Sequence, residues 1–271
     1  MKLSLSFGQR LALLFLLFVV GIILTSLVQV LAGRLTDNVV AATRIVFVIQ
    51  DLLAFILPAL ITAMLITRLP ADFLRLRTLP SGRMFLLAIV AIVVCQPAID
   101  GVNRLCEALP WPQAILDLEA TLAATTRSLI GPHDAANLLV SLLVMAVLTG
   151  LAEEIFFRGA LQRLLETRPM SVHLAVWLAA VIFALMHGQP VGLLPRTLLG
   201  AMFGYLTVWS GSLWTAVVCH ALNNGLAVWT QWAGIDFVST PAVSVASAAL
   251  TAAVIYLMCR RNQSRSRSSG I

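Results

Sequence analysis

Three pairs of side chains, five of the six polar, stand one helical turn apart within otherwise apolar stretches of the sequence. In the first pair, Glu154 and Arg158 share one face of a helix and can form an ion pair, whereas Glu153 points roughly 100° away toward a different neighbour. An arginine held by Glu154 leaves Glu153 free to act as a general base. A charge cluster that only sets membrane topology is the alternative interpretation of this motif.

The second pair is Phe183 and His187, and the third is His220 and Asn224, with Asn223 adjacent. An imidazole and a carboxamide that project together can donate two hydrogen bonds to one oxygen, as an oxyanion site requires. A histidine satisfied at the membrane interface, or hydrogen bonds between neighbouring spans, would explain the same residues without catalysis. Together the three pairs supply a base, an orienting cation, two imidazoles and a carboxamide, and the set is more specific than any one pair.

The composition indicates that membrane helices must position these residues. Hydrophobic residues make up 60% of the 271 positions and charged residues 11%, and the mean hydropathy is +0.96. Soluble domains carry about 45–50% apolar and about 25% charged residues. This balance excludes a cytosolic enzyme, a nucleic-acid module and a disordered scaffold. The net charge of +6 lies mostly in short loops and a tail, which favours lipid headgroups over nucleic acid as its partners.

Apolar runs long enough for membrane spans recur along the whole chain. We therefore predict an all-α, polytopic membrane protein with about eight transmembrane helices and an active site within a four-helix core. The predicted spans cover residues 11–32, 45–67, 84–103, 137–157, 171–187, 194–210, 213–232 and 241–259.

Basic residues predict the orientation of these spans. Thirteen of them fall in the segments on the side of the termini and five on the other side, so the positive-inside rule places both termini in the cytoplasm. Compactness and a single lysine favour a bacterial inner membrane. The outer loop 104–136 predicts either an amphipathic interfacial helix or an ordinary loop, and the basic tail 260–271 is predicted to be disordered.

Four cysteines, Cys95, Cys106, Cys219 and Cys259, lie at spacings that match no zinc or disulfide framework. We interpret them as small buried apolar residues.

Helix geometry places the polar residues at different depths in the membrane. Counted from the inner ends at about 1.5 Å per residue, Glu153 lies about 15 Å into the membrane, His187 about 20 Å and His220 about 12 Å. Tilted helices or a water-filled cavity must bring them together if they form one site.

The ordered set EExxxR at 153–158, FxxxH at 183–187 and HxxxN at 220–224 resembles the CPBP family. That family comprises CAAX-processing endopeptidase homologues of the Rce1 type and bacteriocin-processing or immunity relatives, also called the ABI family. The resemblance covers residues 137–232, which we interpret as the catalytic core. Residues 1–136 then form the N-terminal helices and outer loop, and 233–259 the last helix.

The resemblance implies an intramembrane endopeptidase of the glutamate-dependent kind. Glu153 would activate the attacking water, and His187 would help to hold it. Glu154 would pair with Arg158 and orient the helix. His220 and Asn224 would stabilise the oxyanion.

No cofactor is expected, although a zinc-dependent version of the same protease remains open. Zinc hydrolases use three protein ligands and one water, and Glu153, His187 and His220 would be that set. No HExxH motif is present, so every histidine ligand would come from another helix.

The sequence therefore predicts a protease that cuts a membrane-associated protein or peptide near its carboxyl end, at the cytoplasmic membrane face. A non-catalytic adaptor or immunity protein of the same family is the first alternative. A transporter is the second, because buried Glu and His also serve proton relays. Transporters usually show repeated halves, whereas these polar residues lie in one half of the chain.

Overall fold

The computed structural model describes residues 4–35, 37–167 and 170–268, and within these ranges it is helical and contains no strand. The all-α prediction is confirmed. Ten helices are described: α1 Phe7–Leu35, α2 Val39–Ile66, α3 Pro70–Phe73, α4 Gly82–Glu107, α5 Gln113–Ile130, α6 Ala135–Glu166, α7 Val172–Met186, α8 Leu193–Ser210, α9 Leu213–Ala233 and α10 Pro241–Ser268.

Every predicted span coincides with a helix. Among the described residues five helical segments are long and apolar enough to cross a membrane, namely those in α1, α2, α4, α6 and α10. Helix α7 is apolar but has only 15 residues. The chain is thus an integral membrane protein, while the crossing of α7, α8 and α9 stays a prediction.

Side-chain caps and glycines fix where the site-bearing helices begin and end. Asp134 accepts from the amide of Asn137 at 2.9 Å and starts α6, and this bond holds the pKa of Asp134 below its usual value. Ser171 caps α7 in the same way. Gly211 and Gly234 adopt the left-handed conformation that ends α8 and α9.

Two of the long helices contain wide, π-type turns, which are rare and frequent at functional sites. In α2 such a turn runs over Asp51–Ile56. In α6 two of them, Leu142–Leu148 and Ile155–Gln162, flank the α-helical segment that carries both glutamates. The wide turns therefore set the direction in which the polar side chains of α6 point.

Packed aromatic rings fill the bundle next to these glutamates. The Phe156 ring lies 5.4 Å from Phe18 and 5.6 Å from Phe55, and Phe157 lies 5.1 Å from Phe183. These contacts fix α6 against α1, α2 and α7, and so hold the site-bearing segment in place.

The outer loop contains helix α5. Of the two alternatives for this segment, the helix is therefore the one that the structure contains. Arg44 of α2 donates to the carbonyls of Leu129 and Ile130 at 2.8 Å each. This arginine therefore docks the end of α5 against the bundle.

Three of the cysteines are buried and Cys259 is half-buried, and all four are free thiols, as predicted. The tail differs from its prediction, because the backbone of α10 continues as a helix through Ser268. A helix already formed propagates at little cost into a polar segment. Residues 269–271 lie outside the described residues.

Candidate active site

A fully buried ion pair lies at the centre of the polar cluster. Arg158 Nη1 donates to Glu154 Oε1 at 2.6 Å, and neither side chain is exposed. The same carboxylate oxygen lies 2.8 Å from His220 Nδ1. Glu154 therefore connects α6 to α9 through a single oxygen atom.

Helices α7 and α8 complete the surroundings of the arginine. Arg158 Nη2 donates to the carbonyl of Gly200 at 2.8 Å, and the guanidinium carbon lies 4.6 Å from the Phe183 ring centre and 5.4 Å from that of Phe203. Hydrogen bonds and aromatic faces together compensate a buried cation. Arg158 is thus a structural centre on which four helices converge.

Glu153 occupies a different environment from Glu154. Its Oε2 lies 3.6 Å from His220 Nε2, its side chain is 12% exposed, and Oε2 has no hydrogen-bond partner. The imidazole of His220 therefore stands between the two carboxylates, one on each ring nitrogen. Of the two, only Glu153 lines the adjoining cavities.

His187 follows the last residue of α7, and its Nδ1 lies 2.8 Å from the carbonyl of Phe183. A carbonyl only accepts, so Nδ1 carries a proton and Nε2 of the neutral ring carries a lone pair. Because His187 lines the same cavity as Glu153, this lone pair is available to a water or a substrate group.

Asn224 is held by a chain of amide hydrogen bonds. Its Nδ2 donates to the carbonyl of Met145 at 3.2 Å. Its Oδ1 accepts from Asn223, whose own Oδ1 accepts from Gln96. This chain of hydrogen bonds leaves the second Nδ2 proton of Asn224 available, and Asn224 lines the same cavity as Glu153 and His187.

Two cavities meet at Glu153 and His187. One has a volume of about 340 Å³ and is also lined by His220, Asn224 and Arg196. The other has a volume of about 310 Å³ and lies toward α2 and α5. A chain that occupied both cavities would pass directly over Glu153.

The depth mismatch expected from helix counting does not keep the predicted residues apart. Glu153, Glu154, Arg158 and His220 are linked by direct contacts, while His187 and Asn224 join them around one cavity.

Two residues of this region escaped the sequence interpretation. Asp51 is 2% exposed, and its Oδ2 accepts from the Thr149 hydroxyl at 2.9 Å. Thr149 lines the cavity one turn before Glu153. In the sequence, Asp51 stands inside an apolar run beside Gln50. A carboxylate isolated within a predicted span indicates a functional position.

A polar network at the edge of the site was also missed. Glu119 of α5 accepts from Gln189 Nε2 and from the amide of Val191, both at 2.9 Å. Gln189 in turn accepts from Arg196. These bonds hold α5 against the loop between α7 and α8.

The described side chains do not form the zinc set. No group of three or more His, Cys, Asp or Glu residues is placed to hold a metal ion in the described part of the chain. His187 and His220 each commit Nδ1 to an oxygen of the protein, and this leaves Nε2 free, as in histidines that bind zinc. The spacing of Glu153, His187 and His220, and not the chemistry of their donor atoms, is what keeps them from holding one ion as they are placed.

Comparison with known proteins matches residues 135–226 to the family model described as type II CAAX prenyl endopeptidase Rce1-like. No curated protein and no solved structure matches the chain. The matched segment begins at the first residue of α6, ends within α9, and contains all six predicted site residues.

Proposed function

Residues 135–226 form an Rce1-like segment of the type II CAAX prenyl endopeptidase family, and from that premise we propose an intramembrane endopeptidase whose attacking water is activated by Glu153. At family level the chain is a peptidase with a protein substrate and a bilayer setting. The type of catalysis, the substrate and the orientation are the parts that we propose.

The contrast between the two glutamates carries the proposal. Glu154 is fully buried and bound by Arg158 and His220. Glu153 is 12% exposed and lines both cavities, and Glu154 lines neither. Each glutamate keeps one buried oxygen without a hydrogen-bond partner, but a general base must reach the water whose proton it takes, and only Glu153 has that access. Glu153 is therefore the carboxylate that accepts the proton of the water.

His187 supports the water from the other side of the cavity. Its Nε2 lone pair accepts one hydrogen bond while Glu153 accepts the other, so the water oxygen is directed at the substrate carbonyl. His187 thus orients the water. Because the water loses its freedom of motion before the reaction begins, the activation barrier is lower.

His220 and Asn224 face the carbonyl oxygen in this scheme. The free Nδ2 proton of Asn224 and a proton on His220 Nε2 donate to the oxyanion as it forms. Glu154 stabilises the charged imidazole through Nδ1. The oxyanion site is thus assembled from one helix, α9, and oriented by α6.

The reaction is an ordinary hydrolysis. The water oxygen bonds to the carbonyl carbon, and its proton moves to Glu153. As the tetrahedral intermediate collapses, the carbon–nitrogen bond breaks and Glu153 returns that proton to the leaving amine. The products are a new carboxyl terminus and a new amino terminus.

We propose that no metal takes part, because no three His, Cys, Asp or Glu side chains of the described residues are grouped around one point, and we derive no step through one. We further propose that the protein lies in a bacterial inner membrane with both termini in the cytoplasm, which the distribution of arginine supports. The substrate is a membrane-associated protein or peptide cut near its carboxyl end, by analogy with the family.

The test is a comparison of new protein carboxyl termini by mass spectrometry in cells that express wild type or Glu153→Gln at equal levels. Glu107→Gln is the matched control, because Glu107 is exposed and accepts a hydrogen bond from Asn103 on the surface. We expect fragments with wild type and with the control but not with Glu153→Gln. Identical termini in all three cultures, with every protein folded in the membrane, would favour a non-catalytic adaptor.

A further inference from the structure

Contacts between loops define one end of the helix bundle. Arg75 Nη2 pairs with Glu166 at 2.8 Å, and the carbonyl of Arg75 accepts from the amide of Leu213 at 3.0 Å. Phe7 packs on the same core as Leu164, so α1 begins at this end. We call this end the terminal face.

Helix α10 reaches the same end of the bundle. Met258, near the end of its apolar part, belongs to one packed cluster with Met84, near the start of α4. The start of α4 follows Arg75 after a short loop. Both ends of the apolar chain therefore lie at the terminal face.

The opposite end is defined by a separate set of contacts. Arg44 binds the carbonyl of Leu129 at 2.8 Å, Glu119 binds the amide of Val191 at 2.9 Å, and Ser239 donates its amide to Asp100 at 2.9 Å. We call this end the cavity face.

We call the cavity of about 340 Å³ at Glu153 the catalytic cavity. It extends from Glu153 toward the cavity face. Its lining includes Thr126 of α5, Gln189 of the α7–α8 loop, and Gln231 near the end of α9. Gln231 also lines a polar cavity of about 710 Å³ formed with residues 234–238 beyond α9. The catalytic cavity thus adjoins the polar surface at this end of the bundle.

Toward the terminal face the path is filled. Arg158, Leu161 and Gln162 follow Glu153 along α6, are at most 1% exposed, and do not line either of the two cavities at Glu153. The short helix α7 ends at Met186, directly before His187, so its loop to α8 lies beside the site and not at the terminal face. Access from the terminal face would require this packed layer to open.

Charge assigns the two faces to the two sides of a membrane. Among the described residues, ten basic residues lie in the segments that adjoin the terminal face, not counting the buried Arg158. Five lie in the segments that adjoin the cavity face. Cytoplasmic loops carry the excess of Lys and Arg. The terminal face is therefore the cytoplasmic one, and the cavity faces outward.

We propose that the catalytic cavity receives its substrate from the outer side of the membrane, so that the scissile bond lies in an exported, membrane-proximal segment of a protein. This inference rests on the proposed protease activity. It differs from the cytoplasmic cleavage that the sequence suggests, and from a substrate whose carboxyl terminus stays in the cytoplasm.

Cysteine labelling tests the sidedness without any assay of activity. Gln231→Cys places a thiol in the cavity, and Arg77→Cys places one on the terminal face, where the arginine side chain is 68% exposed. Both are made in a Cys259→Ser background, since the other three native cysteines are buried. We expect a membrane-impermeant maleimide to label Gln231→Cys in intact bacterial cells and Arg77→Cys only after lysis. The reverse pattern would overturn the proposal.

The fragments identified in the Glu153→Gln comparison give the second readout. We expect the cleaved bonds to map to segments that the substrates expose outside the cytoplasm. Glu153-dependent cleavage of cytoplasmic segments would overturn the outward orientation and leave the protease intact. Labelling as expected without any Glu153-dependent fragment would contradict the protease and leave the orientation standing.

Discussion

His220 Nδ1 lies 2.8 Å from Glu154 Oε1, and this contact joins the buried ion pair to the catalytic cavity. The same oxygen accepts from Arg158 at 2.6 Å, so Glu154 is a carboxylate and the ring proton of His220 lies on Nδ1. In the neutral ring Nε2 then carries a lone pair directed at Glu153. His220 can donate to an oxyanion only after Nε2 gains a proton, and Glu154 stabilises that charged ring.

The first prediction separates the two glutamates by stability. Glu154→Gln removes the charge that compensates Arg158, and an uncompensated buried charge costs about 3–5 kcal/mol. Glu153→Gln changes a side chain with no bonded partner on Oε2. We expect thermal unfolding in detergent to show a large fall in Tm for Glu154→Gln and little change for Glu153→Gln, although both lose activity.

The control for this comparison is the double substitution Glu154→Gln with Arg158→Met, which removes both charges. Because replacing a whole buried pair costs less than breaking it, we expect the double variant to recover part of the Tm. Equal Tm values for the single and double variants would contradict a stabilising ion pair.

The second prediction concerns Asn224. Asn224→Ala removes a proposed oxyanion donor, and such donors contribute about 10²–10³ in kcat. We expect that loss with KM nearly unchanged, because the donor acts on the transition state. Asn103→Ala is the matched control, because Asn103 lines the neighbouring polar cavity and not the one at Glu153. A rise in KM at constant kcat for Asn224→Ala would instead assign this residue to substrate binding.

The helical architecture could be predicted from the sequence because apolar runs of span length leave few alternatives in a bilayer. The contact between Glu154 and Arg158 could also be predicted from the sequence, because it depends only on spacing within one helix. Both inferences are local, and for that reason both hold in the structure.

What the sequence could not provide are contacts that depend on how helices pack. Spacing does not show that His220 lies between both glutamates, or that Asp51 of α2 reaches Thr149 of α6. The π-type turns also escape a pattern search, because the apolar periodicity assumes a regular helix. The opening of the cavity away from the termini depends on the same packing.

The third prediction concerns the close approach of α8 to Arg158. A Cβ at Gly200 would lie 3.2 Å from Arg158 Nη2 and 3.1 Å from the Phe183 ring. These neighbours are buried and fixed, so overpacking of about 1–3 kcal/mol outweighs the gain of about 1 kcal/mol in helix propensity. We expect Gly200→Ala to lower both Tm and activity.

Gly225→Ala is the control for that prediction, because a Cβ there meets only ordinary contacts at 3.8 Å. We expect its Tm to match or exceed that of wild type. If Gly200→Ala is as stable as Gly225→Ala, the close approach of α8 is not a constraint on the site.

The fourth prediction tests the metal-free mechanism. Purified protein treated with a strong zinc chelator and then desalted is expected to cleave the substrate at its original rate, and metal analysis is expected to find less than one zinc per chain before treatment. Activity that disappears with the chelator and returns with added zinc would establish the zinc-dependent alternative, with the three side chains rearranged around the ion.

The last prediction assigns Asp51 a positioning role through Thr149. Asp51 is the first residue of the wide turn in α2, and Thr149 directly follows a wide turn in α6. Their hydrogen bond therefore joins the two helices one helical turn before Glu153. Loss of the bond frees α6 to rotate at Glu153 without removing any of the proposed catalytic side chains. We expect Asp51→Leu and Thr149→Val each to lower kcat by about tenfold or more, with KM little changed, as small misplacements of catalytic groups do.

Conservative variants and a double-mutant cycle decide whether that bond is responsible. Asp51→Asn and Thr149→Ser keep an acceptor and a donor in place, so both are expected to restore most of kcat. Combining Asp51→Leu with Thr149→Val is expected to cost no more than either change alone, because both remove the same interaction. Additive losses, or an Asp51→Asn variant as slow as Asp51→Leu, would show that Asp51 acts on the site by a route other than Thr149.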